Sequence, residues 1–435
     1  MPPWASLPTI LFKTTINFRL LLVCALAASV GLPIAFLSLA KIALFIGTLI
    51  ILFRGNKTPA SANPLGASKQ LTALLIFGIL AAFAASLAWT SGSQVEALNS
   101  LSKYGKLLII PILLVLIKSR KDALYALAWF AGFQILVVVS SWMLFFNLSV
   151  PWAISKTALL HNAVFSSYLD EGLMAAVLAS LCWHLRTLAP GRFGPPLAIV
   201  AMLLALFDVF FILEGRSGHV TAIVLMSLAM MWELPKRYRA VVLVLPFVLL
   251  LVLYIASPKV QTRLEIVKLE LQTFSLEEQN GDDYSSSSGT RLFFWSRAIQ
   301  LIAENPWYGS GIGSWSSEFN RIERLRNPSH RDIPPQGNPH QEYLQWGVQL
   351  GVPGVLMLVV LMMSILRDTL EVDKQIARAA QACLAALALA CLFNSSIYDA
   401  LIGDFFCLLL GLLLALGRYM PLQKKKALDD QLEGS

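Results

Sequence analysis

Apolar runs long enough to cross a lipid bilayer alternate with short polar stretches along most of this chain. A transmembrane helix needs about 20 mainly apolar residues, so the pattern predicts an all-α polytopic membrane protein with about twelve spanning helices. Their predicted bounds are 18–35, 36–53, 70–90, 98–117, 123–146, 164–185, 196–213, 218–233, 240–256, 343–366, 376–393 and 401–420. The first two runs are separated only by Gly31-Leu32-Pro33, which requires a tight hairpin.

Basic residues collect in alternate loops between these helices. The members are Lys13 and Arg19; Arg54, Lys57 and Lys69; Lys118, Arg120 and Lys121; Arg186 and Arg192; Lys236, Arg237 and Arg239; Arg367, Lys374 and Arg378; and Arg418 with Lys424, Lys425 and Lys426. Because Lys and Arg mark the cytoplasmic side of a membrane, both termini are predicted to be cytoplasmic. The predicted organisation is 1–256 with helices 1–9, a periplasmic loop at 257–341, helices 10–12 in 342–420, and a cytoplasmic tail at 421–435.

The long outer segment has its own helical pattern. Residues 259–276 carry apolar side chains at helical spacing, and Arg291–Ile302 predicts an amphipathic helix. The predicted apolar face of that second helix consists of Leu292, Trp295, Ile299 and Ile302. The segment is too short and too polar for an independent core. We therefore expect it to lie across the outer mouth of the helix bundle.

Composition agrees with membrane insertion and narrows the chemistry. The chain is 57% hydrophobic and 14% charged, whereas a soluble domain carries about 25% charged residues. The net charge of +8 is spread over short clusters, so no nucleic-acid partner is expected. The five cysteines lie in apolar runs without metal-ligand spacing. Neither a nucleotide-binding motif nor a metal-binding histidine pattern is present, so the sequence predicts no cofactor.

The stretch Gln336–Gln345 places polar, titratable groups where the long outer segment meets the tenth predicted helix. Such groups are costly at a membrane boundary unless they serve a function. A helix cap would explain Asn338 as N-cap and Pro339 as the first helical residue. It leaves His340 unexplained. His340 is therefore the leading catalytic candidate, with Asn338, Glu342 and Tyr343 as supporting candidates.

Several cations also lie on the predicted outer face, although Lys and Arg usually collect on the cytoplasmic side. Arg216 occupies the short loop Glu214–His219, and Arg291 begins the amphipathic helix, where a bound anion would be favoured. Lys103 and Lys106 open the fourth helix and are candidates to line an anionic cavity. Snorkelling to lipid headgroups is the alternative for Arg216 and for both lysines. Arg297, six residues beyond Arg291, is interpreted as part of a solvated helix face.

Four carboxylates near the same face have open roles. Asp170 and Glu171 lie near the outer end of the sixth helix, and Asp399 and Asp404 flank the last outer loop. Each is interpreted as a surface or pairing carboxylate. The run Gly309-Ser310-Gly311-Ile312-Gly313 lacks the strand context of a phosphate-binding loop and is interpreted as a turn.

Three motifs together resemble one family. Gly215-Arg216-Ser217-Gly218 lies in a short outer loop, and Thr290–Trp295 with Glu304–Gly313 lies in the large outer loop. Asn338-Pro339-His340-Gln341-Glu342-Tyr343-Leu344-Gln345 closes that loop. In this order, and with this helix count, the chain resembles the O-antigen ligase and polymerase superfamily of bacterial envelope glycosyltransferases. It is most similar to the lipopolysaccharide O-antigen ligases.

The resemblance implies a substrate pair and a site. The donor would be a polysaccharide on undecaprenyl diphosphate, and the acceptor would be lipid A-core in the bacterial inner membrane. Arg216 and Arg291 would bind the diphosphate, and His340 would activate the acceptor hydroxyl as a general base, with inversion at the anomeric carbon. The active site would face the periplasm. A basic run in the outer loop is a further candidate to meet acceptor phosphates: Arg321, Arg324, Arg326 and Arg331.

Other functions are also compatible with this sequence. An O-antigen polymerase or a protein O-oligosaccharyltransferase of the same superfamily would use the same donor with another acceptor. A membrane transporter or lipid flippase would also suit twelve helices. A transporter or flippase would be expected to have discontinuous helices, internal repeats and ionisable groups near the bilayer midplane. No convincing repeat is visible in this sequence, and the charged candidates cluster at the outer face.

Overall fold

The computed structural model describes residues 17–53, 71–153, 159–239, 287–326 and 337–421, with a few single residues between 242 and 265. Within these ranges the regular structure is helical. The α-helices are α1 (Phe18–Ser29), α2 (Ile34–Phe53), α3 (Leu71–Ala85), α4 (Gln94–Tyr104), α5 (Ile109–Leu116), α6 (Arg120–Phe145), α7 (Tyr168–Leu185), α8 (Gly194–Phe207), α9 (Arg216–Glu233), α10 (Ser287–Glu304), α11 (Trp315–Arg326), α12 (Glu342–Asp368), α13 (Lys374–Phe393) and α14 (Ala400–Arg418).

The all-α polytopic class is confirmed, and in the described part of the chain eight helical segments are long and apolar enough to cross a membrane. They correspond to predicted helices 2–5, 7 and 10–12. The first predicted helix is the shorter α1, and the sixth and eighth form α7 and α9, which are not among the eight. The ninth predicted helix, the helix at 259–276 and the tail at 421–435 lie almost wholly outside the described residues. Twelve spans therefore stay a prediction.

Polar residues at the segment ends set where the helices begin. Ser93 caps α4 by accepting from the Glu96 amide, and the Glu96 side chain accepts from the Ser93 amide in return. Ser119 and Ser167 cap α6 and α7 in a similar way. Each cap satisfies backbone N–H groups that have no partner inside the helix. Two short helices, the amphipathic α4 and the apolar α5, are joined by a 3₁₀ turn into one span, Gln94–Leu116.

The helix α14 lies at the centre of the bundle. Nearly all of its side chains are buried, and it packs against α5, α6 and α13. Near the end that is predicted to face the periplasm the core is aromatic: the Phe83 and Tyr104 rings stack at 4.3 Å, and Trp346 meets both edge-on. These three large side chains are almost fully buried. They fix how the outer ends of α3, α4 and α12 meet, and those ends border the candidate site.

Several of the predicted basic loops meet at one end of the bundle. Arg19 pairs with Asp122 at 3.7 Å, and Arg378 pairs with Glu233 at 3.2 Å. Arg418 donates to the Leu114 carbonyl at 2.6 Å. Loops that are distant in sequence therefore share one face, as the alternation of basic residues requires if that face is cytoplasmic.

At the opposite end, the glycine-rich turn is held between two helices. Ser310 and Gly311 donate to the carbonyls of Val348 and Gln349, and Ser91 donates to the Ser310 carbonyl. Gly311 has a φ of +84°, and an added Cβ would lie 2.3 Å from the Thr90 Cα. The interpretation as a turn is correct but incomplete. The turn packs so closely on both neighbours that it ties α10 and α11 to the bundle.

The same turn accompanies a break in α12. Gly351 has a φ of +72° inside the helix, two residues before Pro353. The following amide, of Val352, donates to the Pro306 carbonyl at 2.7 Å. The interrupted helical ladder therefore regains a hydrogen bond from the outer segment, as a broken helix in a membrane requires. The short first half of α12 is positioned by this contact.

Two predictions for the outer helix α10 are wrong. Ile299, which was placed on its apolar face, is 58% exposed, and the buried positions include Phe293, Phe294, Ala298 and Leu301. Arg297 is 4% exposed, and its Nε donates to Glu323 at 2.6 Å. The prediction failed because α10 packs on both α11 and α12, which cover more than one helix face.

The predicted position of the two lysines is also wrong. The span that carries Lys103 and Lys106 begins at Gln94 rather than near residue 98, because Ser93 and Glu96 form its cap. The lysines therefore lie about three turns inside the helical segment rather than at its opening. Lys106 is buried.

Cysteine labelling tests the predicted orientation. We expect Leu325→Cys, at the exposed end of α11, to react with a membrane-impermeant maleimide applied to spheroplasts. Arg192→Cys, on the basic side, should react only after permeabilisation. Both variants would be made after replacement of the five native cysteines. Labelling of Arg192→Cys and protection of Leu325→Cys in intact spheroplasts would reverse the topology.

Candidate active site

His340 lies just before α12 in an unusual backbone conformation. Its φ is +53°, in the left-handed region, and its amide donates to the Asn338 side-chain oxygen at 2.8 Å. The N-cap of α12 is Gln341, whose side chain accepts from the Leu344 amide at 2.6 Å. The prediction of Asn338 as N-cap and Pro339 as first helical residue is therefore wrong. Asn338 instead stabilises the turn that presents His340.

The His340 ring is linked to a carboxylate through an amide. Nδ1 of His340 lies 3.2 Å from Oδ1 of Asn394, and Nδ2 of Asn394 donates to Asp399 at 2.6 Å. Because a carboxylate oxygen accepts, the Asn394 amide nitrogen must face Asp399 and its oxygen must face His340. Nδ1 then carries the ring proton. Nε2 bears the lone pair, and no described residue hydrogen-bonds it.

The Asp399 carboxylate interacts electrostatically with the basic side chains around it. Burial raises the pKa of its carboxyl above the usual value, and the neighbouring His340, Lys106 and Lys103 oppose that rise. Its oxygen receives the Asn394 amide. Asp399 therefore lies behind the imidazole, where a negative charge would stabilise a protonated ring.

Glu342, a supporting candidate, holds a loop in place. It is fully buried, and its carboxylate accepts from Trp346 Nε1 at 2.8 Å and from the amides of Ile397 and Tyr398 at 2.8 and 3.1 Å. Three donors satisfy the group, and burial keeps it away from any substrate. Glu342, at the start of α12, thus anchors the loop in which Asn394 and Asp399 lie.

The remaining supporting candidates also act on the framework. Tyr343 donates to the Ala388 carbonyl at 3.3 Å and so joins α12 to α13. Lys106 Nζ donates to the carbonyls of Tyr398, Asp399 and Ala400. Lys103 places its ammonium 3.9 Å from the centroid of the Tyr398 ring. Both lysines therefore stabilise the loop before α14.

Asp404 does not lie in that loop. It is 1% exposed, inside α14, and pairs with Lys41 of α2 at 2.5 Å. The pair joins a partly exposed lysine to the buried central helix. Asp404 is thus separated from the solvent-facing site by the first turn of α14.

Arg291 lies on α10 near His340, and its charge interacts with that of Arg216. The Phe294 ring is 6.1 Å from the His340 ring and nearly parallel to it, and Arg291 is one turn earlier on α10, so the two neighbour each other on the helix surface. Burial lowers the pKa of Arg291, and the nearby Arg216 guanidinium lowers it further. The two guanidinium groups repel each other, and an anion between them would relieve that repulsion.

Arg216 is exposed at the first position of α9, after Gly215. A Cβ on Gly215 would lie 3.0 Å from the Tyr168 carbonyl, and Gly218 packs against Gly172. The N-termini of α7 and α9 therefore lie side by side. The N-terminus of α9 has no side-chain cap, so its N–H groups add positive potential next to Arg216, which favours an anionic ligand.

The carboxylates of Asp170 and Glu171, in the first turn of α7, both form hydrogen bonds at the start of that helix. Asp170 takes part in the cap at Ser167, and its charge interacts with Asp399. Glu171 accepts from the amides of Val164 and Phe165 at distances of 2.8–2.9 Å and from Ser166 at 3.0 Å. Glu171 thus holds the loop before α7, as Glu342 holds the loop before α14.

The candidate acceptor arginines lie farther along the outer segment. Arg321 is paired with Glu304 and, at 2.7 Å, with Glu318. Arg324 and Arg326 are exposed near the end of α11, and Arg331 lies outside the described residues. In the described ranges no group of three His, Cys, Asp or Glu residues could hold a metal ion.

Asn394 was missed by the sequence analysis. It follows the last apolar residue of α13 and lies 54 residues from His340. The available signal was an amide at the outer end of a predicted span, five residues before Asp399. Such amides are common helix-end residues, so only the folded arrangement distinguishes this one.

The helices are consistent with a polytopic membrane protein whose polar site lies at one end of its bundle. Residues 197–359 match the family model described as O-antigen ligase, and none of the curated proteins compared matches the chain. This part of the chain is therefore similar to the O-antigen ligase domain, which is consistent with a member of the O-antigen ligase and polymerase superfamily. Arg216, Arg291 and His340 lie inside the matched residues, whereas Asn394 and Asp399 lie beyond them. The match supports a glycosyltransferase-like enzyme, and the family suggests lipid-linked polysaccharide substrates.

Proposed function

We propose that this protein transfers O-antigen polysaccharide from undecaprenyl diphosphate to a sugar hydroxyl of lipid A-core in the bacterial inner membrane. The observation that carries the proposal is the oriented His340–Asn394–Asp399 chain, with Arg291 on the neighbouring helix and its charge interacting with that of Arg216. A base and an anion site on one face are the two requirements of such a transfer. The active site faces the periplasm, and both termini are cytoplasmic.

His340 acts as the general base. Nε2 takes the proton of the acceptor hydroxyl while that oxygen bonds to the anomeric carbon of the donor. The bond from the anomeric carbon to the diphosphate oxygen breaks, and its electron pair leaves with the diphosphate. Asn394 keeps the ring in the required tautomer, and Asp399 favours the imidazolium that forms.

Arg216 and Arg291 bind the leaving diphosphate. Arginine forks match phosphate oxygens through paired hydrogen bonds, and the N-terminus of α9 points the same way. As the bond breaks, charge grows on the diphosphate, so these cations favour the transition state over the bound donor. The leaving group supplies the driving force, and neither a nucleotide nor a metal is required.

Direct displacement inverts the anomeric centre. Retention would need a carboxylate nucleophile at the anomeric carbon. Glu342 and Glu171 are buried against backbone amides, and Asp399 lies behind Asn394. A single base facing an anionic leaving group therefore favours inversion.

Purified protein with lipid-linked polysaccharide tests this function. We expect transfer to rough lipopolysaccharide in the presence of EDTA and without ATP. The measurement is the slower migration of the elongated lipopolysaccharide on a gel. An absolute requirement for a divalent metal or a nucleotide would contradict the proposed chemistry. Transfer only to a second lipid-linked unit would identify a polymerase, and transfer only to protein would identify an oligosaccharyltransferase.

A further inference from the structure

A cavity of about 320 Å³ lies beside the proposed active site, within the range of small-molecule pockets. One wall is a single face of α4, formed by Glu96, Asn99, Ser102 and Lys103. Their spacing of three, three and one residues places all four side chains on the same side of the helix. The wall offers both hydrogen-bond donors and acceptors.

The opposite side combines aromatic and amide groups. Trp315, Gln345 and Tyr398 line it, and each is at most 6% exposed. Trp315 Nε1 and Gln345 Oε1 have no hydrogen-bond partner among the described residues. A buried donor and a buried acceptor without partners are costly. A hydroxylated ligand, which both donates and accepts, would satisfy them together.

The cavity is connected to the base through its lining residues. Tyr398 directly precedes Asp399, and Gln345 lies on the first turns of α12, just after His340. Trp315 contacts Phe294, whose ring stacks on the His340 ring. Arg216, by contrast, lies beside the N-terminus of α7. The cavity and the surroundings of Arg216 are therefore two different environments.

Those environments differ in charge. The arginine side carries two cations whose mutual repulsion favours a bound anion. In the cavity, the Lys103 ammonium is balanced by the Glu96 carboxylate, and the other polar groups are neutral. Charge alone therefore directs the diphosphate to the arginines and leaves the cavity suited to uncharged hydroxyls.

We propose that this cavity is the acceptor-sugar subsite, in which the ring that carries the attacking hydroxyl is bound next to His340. The inference rests on the proposed function and adds the residues that choose the acceptor. Asn99, Ser102, Trp315 and Gln345 hydrogen-bond the sugar. The lipid A-core and a second lipid-linked glycan share this chemistry, so both acceptors are included in the test.

Filling the cavity from its exposed wall tests the subsite. Ser102 is exposed, and its hydroxyl bonds only its own helix backbone at Asn99, so Ser102→Trp should fold. We expect it to raise the acceptor KM at least about tenfold while the donor KM stays unchanged. Leu98→Trp, on the same helix, 58% exposed and outside the lining, is the matched control and should behave as wild type. Initial rates with rough lipopolysaccharide and with a second lipid-linked unit provide the measurement.

A milder variant protects the test against misfolding. Asn99→Ala removes one hydrogen-bonding group and should raise the acceptor KM about two- to tenfold, again without a change in the donor KM. An unchanged acceptor KM in both variants, or an increase in the donor KM instead, would overturn the subsite. If the wild type transfers to neither acceptor, the proposed function itself fails and the subsite fails with it.

Discussion

Replacement of His340 with alanine is expected to abolish measurable transfer while the donor still binds. Removal of a general base typically costs about 10²–10⁴-fold in rate. The diphosphate contacts reside on Arg216 and Arg291 rather than on the imidazole, so donor affinity should be retained. Asn394→Ala should cause a smaller loss, because the base remains but its tautomer and orientation are no longer fixed.

Initial rates and donor titrations of the same preparations check this result. A His340→Ala variant that keeps most of its turnover, or that fails only because donor binding is lost, would make His340 a binding residue. Glu342 is enclosed by hydrogen-bond donors, and Asp404 is buried in α14 against Lys41, so the search for the base would then turn to Asp399.

Substitution of either site arginine by lysine is expected to cause the second large loss of transfer activity. Lysine keeps the charge but loses the planar fork that pairs with phosphate oxygens. Loss of a charge-assisted contact costs roughly 1.5–3 kcal/mol, or about ten- to a hundredfold in rate or affinity. Arg216→Lys and Arg291→Lys should therefore each impair transfer, and the loss should appear in donor KM and kcat rather than acceptor KM.

Arg192→Lys is a matched control, because Arg192 is exposed at the other end of the bundle and stacks on Phe193. It should transfer at the wild-type rate. Wild-type activity in both site variants would show that Arg216 and Arg291 serve as solvated or headgroup-facing cations. The diphosphate would then need other ligands.

The spanning helices could be predicted because each depends on a local property, a long apolar run with polar residues at its ends. The left-handed turn at His340 and the break at Gly351 could not, because each depends on contacts with distant residues. Gly351 is followed by an amide that bonds the Pro306 carbonyl, 46 residues away in the chain. A glycine and a proline near each other indicate a kink without showing what compensates it.

The candidate site shows the same division. His340, Arg216 and Arg291 were identified because each is unexpected where it stands in the sequence. Asn394 was missed because an amide after a span is ordinary. Glu342 was correctly placed near His340, but its role as an anchor depends on the Ile397 and Tyr398 amides that approach it. Sequence therefore identified unusual residues, and only the structure shows which of their neighbours orient them.

The positive φ of His340 means that stability and activity favour different residues at this position. The left-handed conformation costs a residue other than glycine about 1–2 kcal/mol of conformational energy, and asparagine tolerates this conformation better than most residues. Selection for stability alone would therefore favour glycine at position 340, and neither glycine nor asparagine could serve as the base. If His340 is the base, the fold accepts a local conformational penalty so that the imidazole is aimed before any substrate arrives.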